Sequence, residues 1–569
     1  MQISVAELIV GFMQRLGVEA IFGMPGAHIL PVYDALYDTR IRTVLAKHEQ
    51  GAAFMAGGYA RATGRVGACI ATAGPGATNL VTGIANAYAD RLPVLALTGE
   101  TATYIFGRGG LQESSGEGGS VDQAELFRPI TRYRKLVERT DYLEAVLNQA
   151  AAALFDDPPG PVLLSLPYNV QKEHVDAALL DRLRIRRPTV GQAPARPDGE
   201  APVPAEGGVN HESARRLARM LIEARQPVII AGHGCIRAGA QAELTRLSQT
   251  LGIPVATSLK AKGAVGEDTP LALGSLGVTS SGEAYRFIVE RADLLLILGA
   301  SFGERTSYVW DADLLAGKRI VQVDLDARQL DKVFRADLAI RGDIRAVLAG
   351  VLAHLPSDLE PGVKPATGCD TDRQAVRGDY ALFREGFASV RHFLRALARH
   401  FPRDTLVFDD NIIFAQNFYH VGGNNRYFPN TGISSLGHAI PAAIGARLGA
   451  PAGSRVFAIL GDGGFQMCGM ELMTAVNEGL PLNVVLLANG TMGLVRKNQY
   501  QHYHQRYIGC DFANPDFGLL ARAFGIAYRR VQTESDVDAV FQEMDLTGGI
   551  NLIEIVLARD LFPNYSSRR

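Results

Sequence analysis

The stretch that decides the fold is residues 461–491, GDGGFQMCGMELMTAVNEGLPLNVVLLANGT. An apolar run at residues 456–460 precedes it, of the kind that forms a buried strand. After the glycine-rich turn, helix-like sequence extends to about Glu478, and a second apolar run covers residues 482–487. Strand, turn, helix and strand in this order predict one βαβ crossover with parallel strands.

Polar side chains follow both strands of this unit. Asp462 comes after the first strand and Asn489 after the second, and the carboxyl ends of parallel strands share the edge where open α/β sheets bind ligands. Their oxygen atoms suit Mg²⁺, which completes its shell with phosphate oxygens and water. Gly461, Gly463 and Gly464 let backbone N–H groups approach a phosphate. The residues therefore predict a diphosphate held through Mg²⁺, although an ordinary βα turn is an equally good reading of the tetrapeptide GDGG alone.

Length and composition indicate a globular protein of several domains. A chain of 569 residues is expected to form about three to four domains. The net charge of −2 gives no reason to expect a nucleic acid or an anionic membrane as partner. The five cysteines lack paired spacing and no run of 18 apolar residues occurs, so we expect a cytoplasmic protein without a membrane span.

The pattern of elements predicts an α/β protein with three doubly wound, mainly parallel sheets. The predicted domains are residues 1–185, 211–355 and 376–569, joined by irregular linkers at 186–210 and 356–375. The expected strands are 18–22, 43–46, 66–72, 93–98, 162–166, 227–231, 254–257, 294–298, 319–324, 405–408, 456–460, 482–487 and 550–556.

Four motifs follow one another along the chain: HEQGAAFMAGGYARATG at 48–64, GPGATN at 74–79, GLQE at 110–113 and GDGG at 461–464. In this order they resemble those of the thiamine-diphosphate enzymes of the acetohydroxyacid (acetolactate) synthase type. The resemblance covers essentially the whole chain and implies pyrimidine-binding, central and diphosphate-binding domains. It implies thiamine diphosphate and Mg²⁺ as cofactors, with Asp462, Asn489 and Thr491 at the metal. It also implies a homodimer or homotetramer in which Glu49 and Asp462 of one site come from different chains.

Glu49 and Gln112 are the predicted catalytic residues. Taken alone, Glu49 is a carboxylate at a helix N-terminus, which the helix dipole favours. The resemblance makes it the carboxyl group that acts on N1′ of the aminopyrimidine, and its small, apolar surroundings predict a raised pKa. Gln112 is a loop amide by itself, and the resemblance places it near the substrate end of the cofactor.

The rest of the cofactor site follows from the same resemblance. Leu436 would wedge the cofactor into its bent form, and the backbone carbonyl of Ser434 would accept the pyrimidine amino group. Gly74 and Asn411 would contact the cofactor, Asn411 at the diphosphate. Read without the resemblance, Leu436 is a core residue and the loop that contains Asn411 is a solvated turn.

The substrate pocket favours a carboligase that decarboxylates a 2-oxo acid such as pyruvate and transfers the acyl group to a keto acid or aldehyde. Decarboxylases of the family have a His pair near Gln112 and an acid at the position of Ala27, and this chain has neither. His28, Val495 and Asn498 complete the predicted pocket. The alternatives are a simple decarboxylase, a lyase or acyltransferase (sulfoacetaldehyde acetyltransferase-like or acyl-CoA lyase-like), and a non-enzymatic scaffold on the same fold.

Two further segments differ from the synthase pattern. At residues 300–305 the chain has ASFGER where synthases that bind FAD have an Arg-Phe-Asp-Asp-Arg run, which argues against a tightly bound flavin. Residues 114–120, SSGEGGS, form a short insertion after Gln112. We interpret it as a loop extension rather than as a mobile loop over the site.

Overall fold

The computed structural model describes residues 1–185, 211–357, 386–422 and 425–563. The predicted linker 186–210 and nearly all of the linker 356–375 lie outside these ranges. The described residues form three six-stranded sheets, in which every strand pairing is parallel, and one two-stranded antiparallel sheet. The predicted fold class is therefore confirmed. None of the helices in these ranges is long and apolar enough to cross a membrane.

The first sheet belongs to the N-terminal domain. From edge to edge its strands are Arg42–Leu45, Ala20–Gly23, Gly67–Ala71, Val94–Glu100, Val162–Pro167 and Tyr133–Leu136. Gln2–Ser4 pairs with His174–Asp176 in the small sheet. The α-helices are Val5–Leu16, Leu30–Tyr37, Glu49–Thr63, Pro75–Ala89, Gln123–Leu126, Leu143–Phe155, Tyr168–Gln171 and Leu179–Arg182.

The second sheet belongs to the central domain. Its strands lie in the order Ala272–Leu276, Val255–Ser258, Pro227–Ala231, Leu294–Leu298, Arg319–Asp324 and Leu338–Arg341. Continuous apolar runs such as Leu294–Leu298 occupy its middle because both faces of a central parallel strand are covered by helices. The α-helices are His211–Glu223, His233–Arg237, Gln241–Leu251, Glu283–Arg291 and Ile344–Ala353.

The third sheet contains the predicted βαβ unit. Its strands lie in the order Arg426–Pro429, Thr405–Asp409, Arg455–Gly461, Leu482–Ala488, Ile550–Val556 and Ala527–Val531. The helix predicted after the glycine-rich turn is broken into two α-helices joined by the 3₁₀ turn Gly469–Glu471. The α-helices are Ala388–His400, Ile413–Phe418, Ala439–Gly449, Asp462–Cys468, Leu472–Glu478, Gly493–His502, Phe517–Phe524 and Glu534–Glu543.

The first and third domains share one strand order and the central domain has another. Numbered along the chain within each domain, the strands of the six-stranded sheets lie 2-1-3-4-6-5 in the outer two domains and 3-2-1-4-5-6 in the central one. Each order contains a switch point beside strand 1, where the chain turns from one side of the sheet to the other. Such a crevice at the carboxyl ends of the strands is the usual place for a ligand.

The outer domains pack directly on each other through two helices rich in small residues, Glu49–Thr63 and Ala439–Gly449. The backbones approach so closely that a Cβ on Gly58 would lie 2.0 Å from the carbonyl oxygen of Ala442. A Cβ on Gly445 would lie 1.9 Å from the carbonyl oxygen of Met55. One cluster of buried apolar side chains consequently contains residues from both domains.

Candidate active site

Asp462 joins the glycine-rich turn 461–464 to the loop that begins at Asn489 through hydrogen bonds, as the sequence predicted that these segments would meet. Asp462 is 1% exposed and is the first residue of the helix that follows the strand Arg455–Gly461. Oδ2 accepts hydrogen bonds from the backbone N–H groups of Asn489 at 2.8 Å and Gly490 at 2.6 Å, and Oδ1 accepts one from Gly463 at 3.0 Å. Two residues 27 positions apart are thus held side by side at the carboxyl edge of the third sheet.

Asn514 is a further partner of Asp462 that the sequence did not reveal. Its Nδ2 donates to Asp462 Oδ2 at 2.8 Å across 52 positions. No strand ends immediately before Asn514, so neither spacing nor pattern marks it. Thr491 is buried, and its hydroxyl donates to the carbonyl of Cys510 at 3.0 Å, while its N–H donates to Asn489 Oδ1 at 3.3 Å.

The oxygen donors around Asp462 match the requirements of Mg²⁺. One carboxylate and one amide oxygen, with phosphate and water supplying the rest, is the composition that this ion accepts. Within the described residues, no three or more His, Cys, Asp or Glu side chains are grouped so as to hold a metal ion. A magnesium site of the predicted kind needs only one carboxylate, so the assignment to Asp462, Asn489 and Thr491 stays a prediction.

Asp409 and Asp410 lie at the switch point of the third sheet, and the interpretation of a solvated turn is wrong. Both carboxylates are buried. Asp409 accepts a hydrogen bond from the Tyr427 hydroxyl at 2.6 Å, and Asp410 accepts from the N–H of Gly437 at 2.7 Å. Burial raises the pKa of Asp409 to about 6 and that of Asp410 to about 7. The protein itself therefore supplies hydrogen-bond partners to both carboxyl groups.

Asp410 fixes the loop that carries Ser434 and Leu436. Besides Gly437, it accepts a hydrogen bond from the N–H of Ala439 at 3.1 Å. Ser434 has a φ of +57°, an uncommon value for a residue with a side chain, and such values persist only where neighbours enforce them. A Cβ on Gly464 would lie 3.2 Å from Asp410 Oδ2, so this loop adjoins the glycine-rich turn.

Asn411 also adopts a left-handed backbone, with a φ of +63°. Its Oδ1 accepts a hydrogen bond of 3.4 Å from Nη1 of Arg305, which belongs to the central domain. The loop that was predicted to face the diphosphate is therefore in contact with the segment that differs from the flavin-binding pattern.

Glu49 begins the helix Glu49–Thr63, and its Oε2 accepts a hydrogen bond from Asn79 Nδ2 at 2.9 Å. The turn before it is held from the third domain. Glu471 accepts from the backbone N–H of Lys47 at 3.1 Å and of His48 at 3.0 Å. Burial raises the pKa of Glu471, which is 3% exposed. The sequence did not reveal this contact because it joins residues more than 400 positions apart.

Gly74 and Gln112 meet at the carboxyl edge of the first sheet. Gly74 has a φ of +61°, and a Cβ there would lie 3.1 Å from Gln112 Cβ. Ala27 and His28 belong to the 3₁₀ turn Ala27–Ile29, and the carbonyl of His28 accepts a hydrogen bond from Gln171 at 2.7 Å. Ala27 and His28 follow strand 1 of this sheet, Gly74 follows strand 3, and these two strands are neighbours.

Val495 and Asn498 lie on the helix Gly493–His502, directly after the predicted metal loop. Both are exposed and three positions apart, so they share one face of the helix. The opposite side is anchored by Arg496, which pairs with Asp511 at 2.6 Å. The helix can therefore present Val495 and Asn498 outward without losing its attachment.

The predicted residues form two groups within one chain. The partners of Glu49 and Gln112 described above lie in the first domain, and those of Asp462 and Ser434 lie in the third. Apolar side chains are exposed beside both groups, among them Leu111, Met467, Met470 and Val495.

Comparison with protein families assigns each domain to the same class. Residues 3–125 match the model of the thiamine pyrophosphate enzyme, N-terminal TPP binding domain, and residues 214–351 match the central domain. Residues 410–555 match the thiamine pyrophosphate enzyme, C-terminal TPP binding domain. The fold and the site thus define a thiamine-diphosphate enzyme.

Similar proteins specify the branch of that class. An acetolactate synthase of Mycobacterium bovis is 33% identical over 573 residues, 98% of this chain and 89% of the relative. A probable acetolactate synthase large subunit of Methanocaldococcus jannaschii is 33% identical over 97% of this chain and 91% of the relative. An acetolactate synthase large subunit of Corynebacterium glutamicum is 33% identical over 98% and 87%. The chain belongs to the acetolactate synthase family of thiamine-diphosphate enzymes, which confirms the resemblance found in the sequence.

Proposed function

We propose that this protein is a carboligase that decarboxylates pyruvate or a similar 2-oxo acid and transfers the acyl group to a keto acid or an aldehyde. The observation that carries the proposal is the Asp462 carboxylate, held against the Asn489 loop at the carboxyl edge of the third sheet. In the proposed site Mg²⁺ is bound by Asp462, Asn489 and Thr491, and Gly461, Gly463 and Gly464 face the diphosphate.

The remaining residues would position the cofactor and the substrates. When bound, thiamine diphosphate supplies the electron sink for breaking and making the carbon–carbon bond. Glu49 would share a proton with N1′ of the aminopyrimidine, and the Ser434 carbonyl would accept its amino group. Leu436 would support the ring, Gly74 and Asn411 would line the cofactor, and Gln112, Ala27, His28, Val495 and Asn498 would line the substrate pocket.

Product analysis with pyruvate, thiamine diphosphate and Mg²⁺ tests the reaction directly. Mass spectrometry is run with and without a panel of acceptor aldehydes and keto acids. We expect acetolactate or a mixed acyloin. Aldehyde without any coupled product would make the protein a decarboxylase instead. An enzyme that binds the cofactor but consumes no pyruvate would need another donor, as in the lyase or acyltransferase alternative.

We also propose that two chains complete each site, in a homodimer or homotetramer. Glu49 and Asp462 have separate hydrogen-bond partners, in the first and the third domain respectively, and apolar side chains such as Leu111 and Met467 are exposed in these two domains, which supports this arrangement. Co-expression of Glu49→Gln with Asp462→Ala under different tags provides the test. The mixed dimer would contain one intact site and regain about half of the parental activity, because a two-fold symmetric dimer has two sites. If one chain forms a whole site, the mixed dimer stays inactive.

We further propose that the central domain does not bind FAD tightly. The hydrogen bond that Arg305, in the segment 300–305, donates to Asn411 supports this proposal. The visible absorption spectrum of the purified protein is the test, and a flavin spectrum would contradict the proposal. A cytoplasmic location stays a prediction.

A further inference from the structure

Glu100 is a buried carboxylate at the substrate end of the site that has no role in the proposal so far. It is the last residue of Val94–Glu100, in the middle of the first sheet, and it is 0% exposed. Its Oε1 accepts hydrogen bonds from the N–H of Thr101 at 2.8 Å and of Ser114 at 3.0 Å. Its Oε2 is buried and has no hydrogen-bond partner in the structure. Burying a carboxyl group with one unpaired oxygen destabilises the folded protein, so its presence here calls for a functional explanation.

Ser114 connects this carboxylate to two predicted site residues. Its Oγ accepts a hydrogen bond of 2.8 Å from the N–H of Gly74 and donates one of 2.9 Å to the carbonyl of Gln112. Gln112 has a φ of +56° and Gly74 one of +61°, so both residues have backbones that need external support. Ser114 is 2% exposed and lies between them.

The following residues do not share this role. Ser115 forms a bridge with Asp122, and the N–H of Gly116 donates to Ser120 Oγ at 3.1 Å. The Ser115 hydroxyl donates to Glu113 at 2.9 Å. The segment 115–120 therefore closes on itself, as the loop extension predicted from the sequence would, whereas Ser114 is fixed to the sheet.

We propose that Glu100 and Ser114 are positioning residues for the substrate end of the site. Glu100 holds the backbone of Ser114, and the Ser114 hydroxyl fixes Gln112 and Gly74 relative to each other. This inference rests on the proposed function in that it assigns Gln112 to the substrate. It gives the first residue of the segment 114–120 a role separate from that of the others.

The ionisation of Glu100 supports this arrangement. Burial raises its pKa to about 7, with the N–H groups of Ser114 and Thr101 acting in the opposite direction and the nearby charges of Glu113 and Asp122 in the same direction. Glu113 itself accepts N–H groups of Gly107 and Gly110, which lower its pKa. Only the carboxylate form of Glu100 accepts both N–H groups fully, so the hold on Ser114 weakens as the pH falls through about 7.

The test compares Ser114→Ala with Ser115→Ala in the holoenzyme, with Gln112→Ala as reference. The first readout is the ratio of coupled product to free aldehyde from pyruvate. We expect Ser114→Ala to lower this ratio about tenfold, the effect of one lost hydrogen bond to a site residue, and Ser115→Ala to leave it unchanged. The double variant with Gln112→Ala should show no further loss, because both changes act through Gln112. A Ser114→Ala enzyme within about twofold of the parent, beside a defective Gln112→Ala enzyme, would overturn the inference.

A second readout does not depend on the reaction. Hydrogen–deuterium exchange of peptides that contain Gly74 and Gln112 should speed up in Ser114→Ala and in Glu100→Ala but not in Ser115→Ala. Unchanged exchange would reject the positioning role even if activity falls. If Gln112→Ala leaves the product ratio unchanged, the assignment of Gln112 fails, and the exchange data alone then decide the positioning role. Glu100→Gln keeps an acceptor oxygen but carries no charge, so its exchange should lie between that of the parent and that of Glu100→Ala and should not change with pH near 7.

Discussion

The two outer domains and the central domain are built from the same kind of sheet but are joined to the molecule differently. The outer pair shares one strand order and one apolar core, in which backbones touch at Gly58 and Gly445. The apolar clusters of the central domain lie wholly within residues 214–355. Leu259 packs against the apolar core of the third domain, and charged groups make further contacts with the neighbouring domains. Lys260 pairs with Asp90, and Glu267 accepts the N–H of Val421 at 2.9 Å.

The two kinds of contact have different consequences for the geometry of the outer domains and for the attachment of the central domain. Close-packed backbones have no room to shift, so the outer domains of one chain hold Glu49 and Asp462, which the proposal assigns to two different sites, at a fixed separation. Ion pairs across an interface lose solvation energy, and their strength depends on pH. The attachment of the central domain should therefore depend on pH more than the contact between the outer domains does. The proposed chemistry needs the first property only, which fits the position of the predicted site residues on the outer domains.

Substitution of Gly58 should have the largest effect. In Gly58→Ala the new Cβ would lie 2.0 Å from the Ala442 carbonyl oxygen, and neither backbone can move without disturbing the shared core. We expect the free energy of unfolding to fall by more than about 3 kcal/mol, at the upper end of overpacking effects. Chemical denaturation of the parent and of Gly58→Ala measures this difference in the free energy of unfolding.

The neighbouring Gly57 offers the control. A Cβ there would meet only Leu92, at 3.6 Å, an ordinary contact. Gly57→Ala should therefore stabilise the helix slightly, by up to about 1 kcal/mol. Equal losses in the two variants would mean that the helix, and not the approach of the two domains, is what the substitution disturbs.

Asp90→Asn should have the next largest effect, at the boundary with the central domain. Asp90 is buried and pairs with Arg61 and Lys260, which hold its pKa well below the ordinary value. Removing the charge leaves the buried guanidinium of Arg61 without the counter-charge of Asp90, although Asn86 still accepts a hydrogen bond from it, and this loss typically costs about 3 kcal/mol. Because the folded-state pKa is depressed, this stability is present above the unfolded pKa of about 4 and is lost as the pH falls below it.

Denaturation curves at several pH values test both parts of this prediction. The difference between parent and Asp90→Asn should be largest near neutral pH and should shrink below about pH 4. The half-exposed pair of Asp157 and Arg237 is the control, and Asp157→Asn should cost less than about 1 kcal/mol. A constant difference at all pH values would show that the Asp90 charge is not responsible.

The sequence predicted the interior strands of the three six-stranded sheets but only one of their edge strands, Arg42–Leu45. Interior strands such as Leu294–Leu298, a continuous apolar run, and Ile550–Val556, an apolar run interrupted by Asn551 and Glu554, were located correctly. The strands Tyr133–Leu136, Leu338–Arg341 and Ala527–Val531 were missed. These lie at sheet edges, where one side faces solvent and polar residues interrupt the apolar pattern. Ala272–Leu276 and Arg426–Pro429, also at edges, were missed in the same way.

The residues of the site also fall into those that local sequence could predict and those whose contacts depend on distant parts of the chain. Asp462 and Asn489 could be predicted to meet because they follow adjacent parallel strands. Asn514, Glu471 and Asp410 could not be assigned, since their contacts depend on how separate loops and domains pack. The sequence therefore identifies groups at strand ends and leaves out the residues that hold them in place.

Glu471→Gln should have an intermediate effect on stability and a specific effect on the reaction. The carboxylate accepts the N–H groups of Lys47 and His48, directly before Glu49. Loss of the charge weakens these bonds by about 1.5 to 3 kcal/mol and releases the turn that presents Glu49. We expect turnover to fall at least about tenfold while the affinity for thiamine diphosphate, which depends on Asp462, is kept.

Glu478→Gln is the matched control for this prediction. Glu478 also reaches from the third domain to the first, where it pairs with Arg42 at 2.6 Å, but it does not touch the turn before Glu49. Turnover should be unchanged in this variant. A similar loss in both would indicate a general loosening of the domain pair rather than a displaced Glu49.

Arg42→Ala should have the smallest effect, and it shows which property of the interface matters. Arg42 joins the two outer domains with two hydrogen bonds to the Glu478 carboxylate and one, of 3.0 Å, to its carbonyl. Its side chain is 45% exposed, so water and salt screen the pair. We expect a loss of at most about 1 kcal/mol, and less in high salt. A loss as large as that of Gly58→Ala would mean that exposed charges carry the contact; a small one would assign it to the buried, close-packed helices.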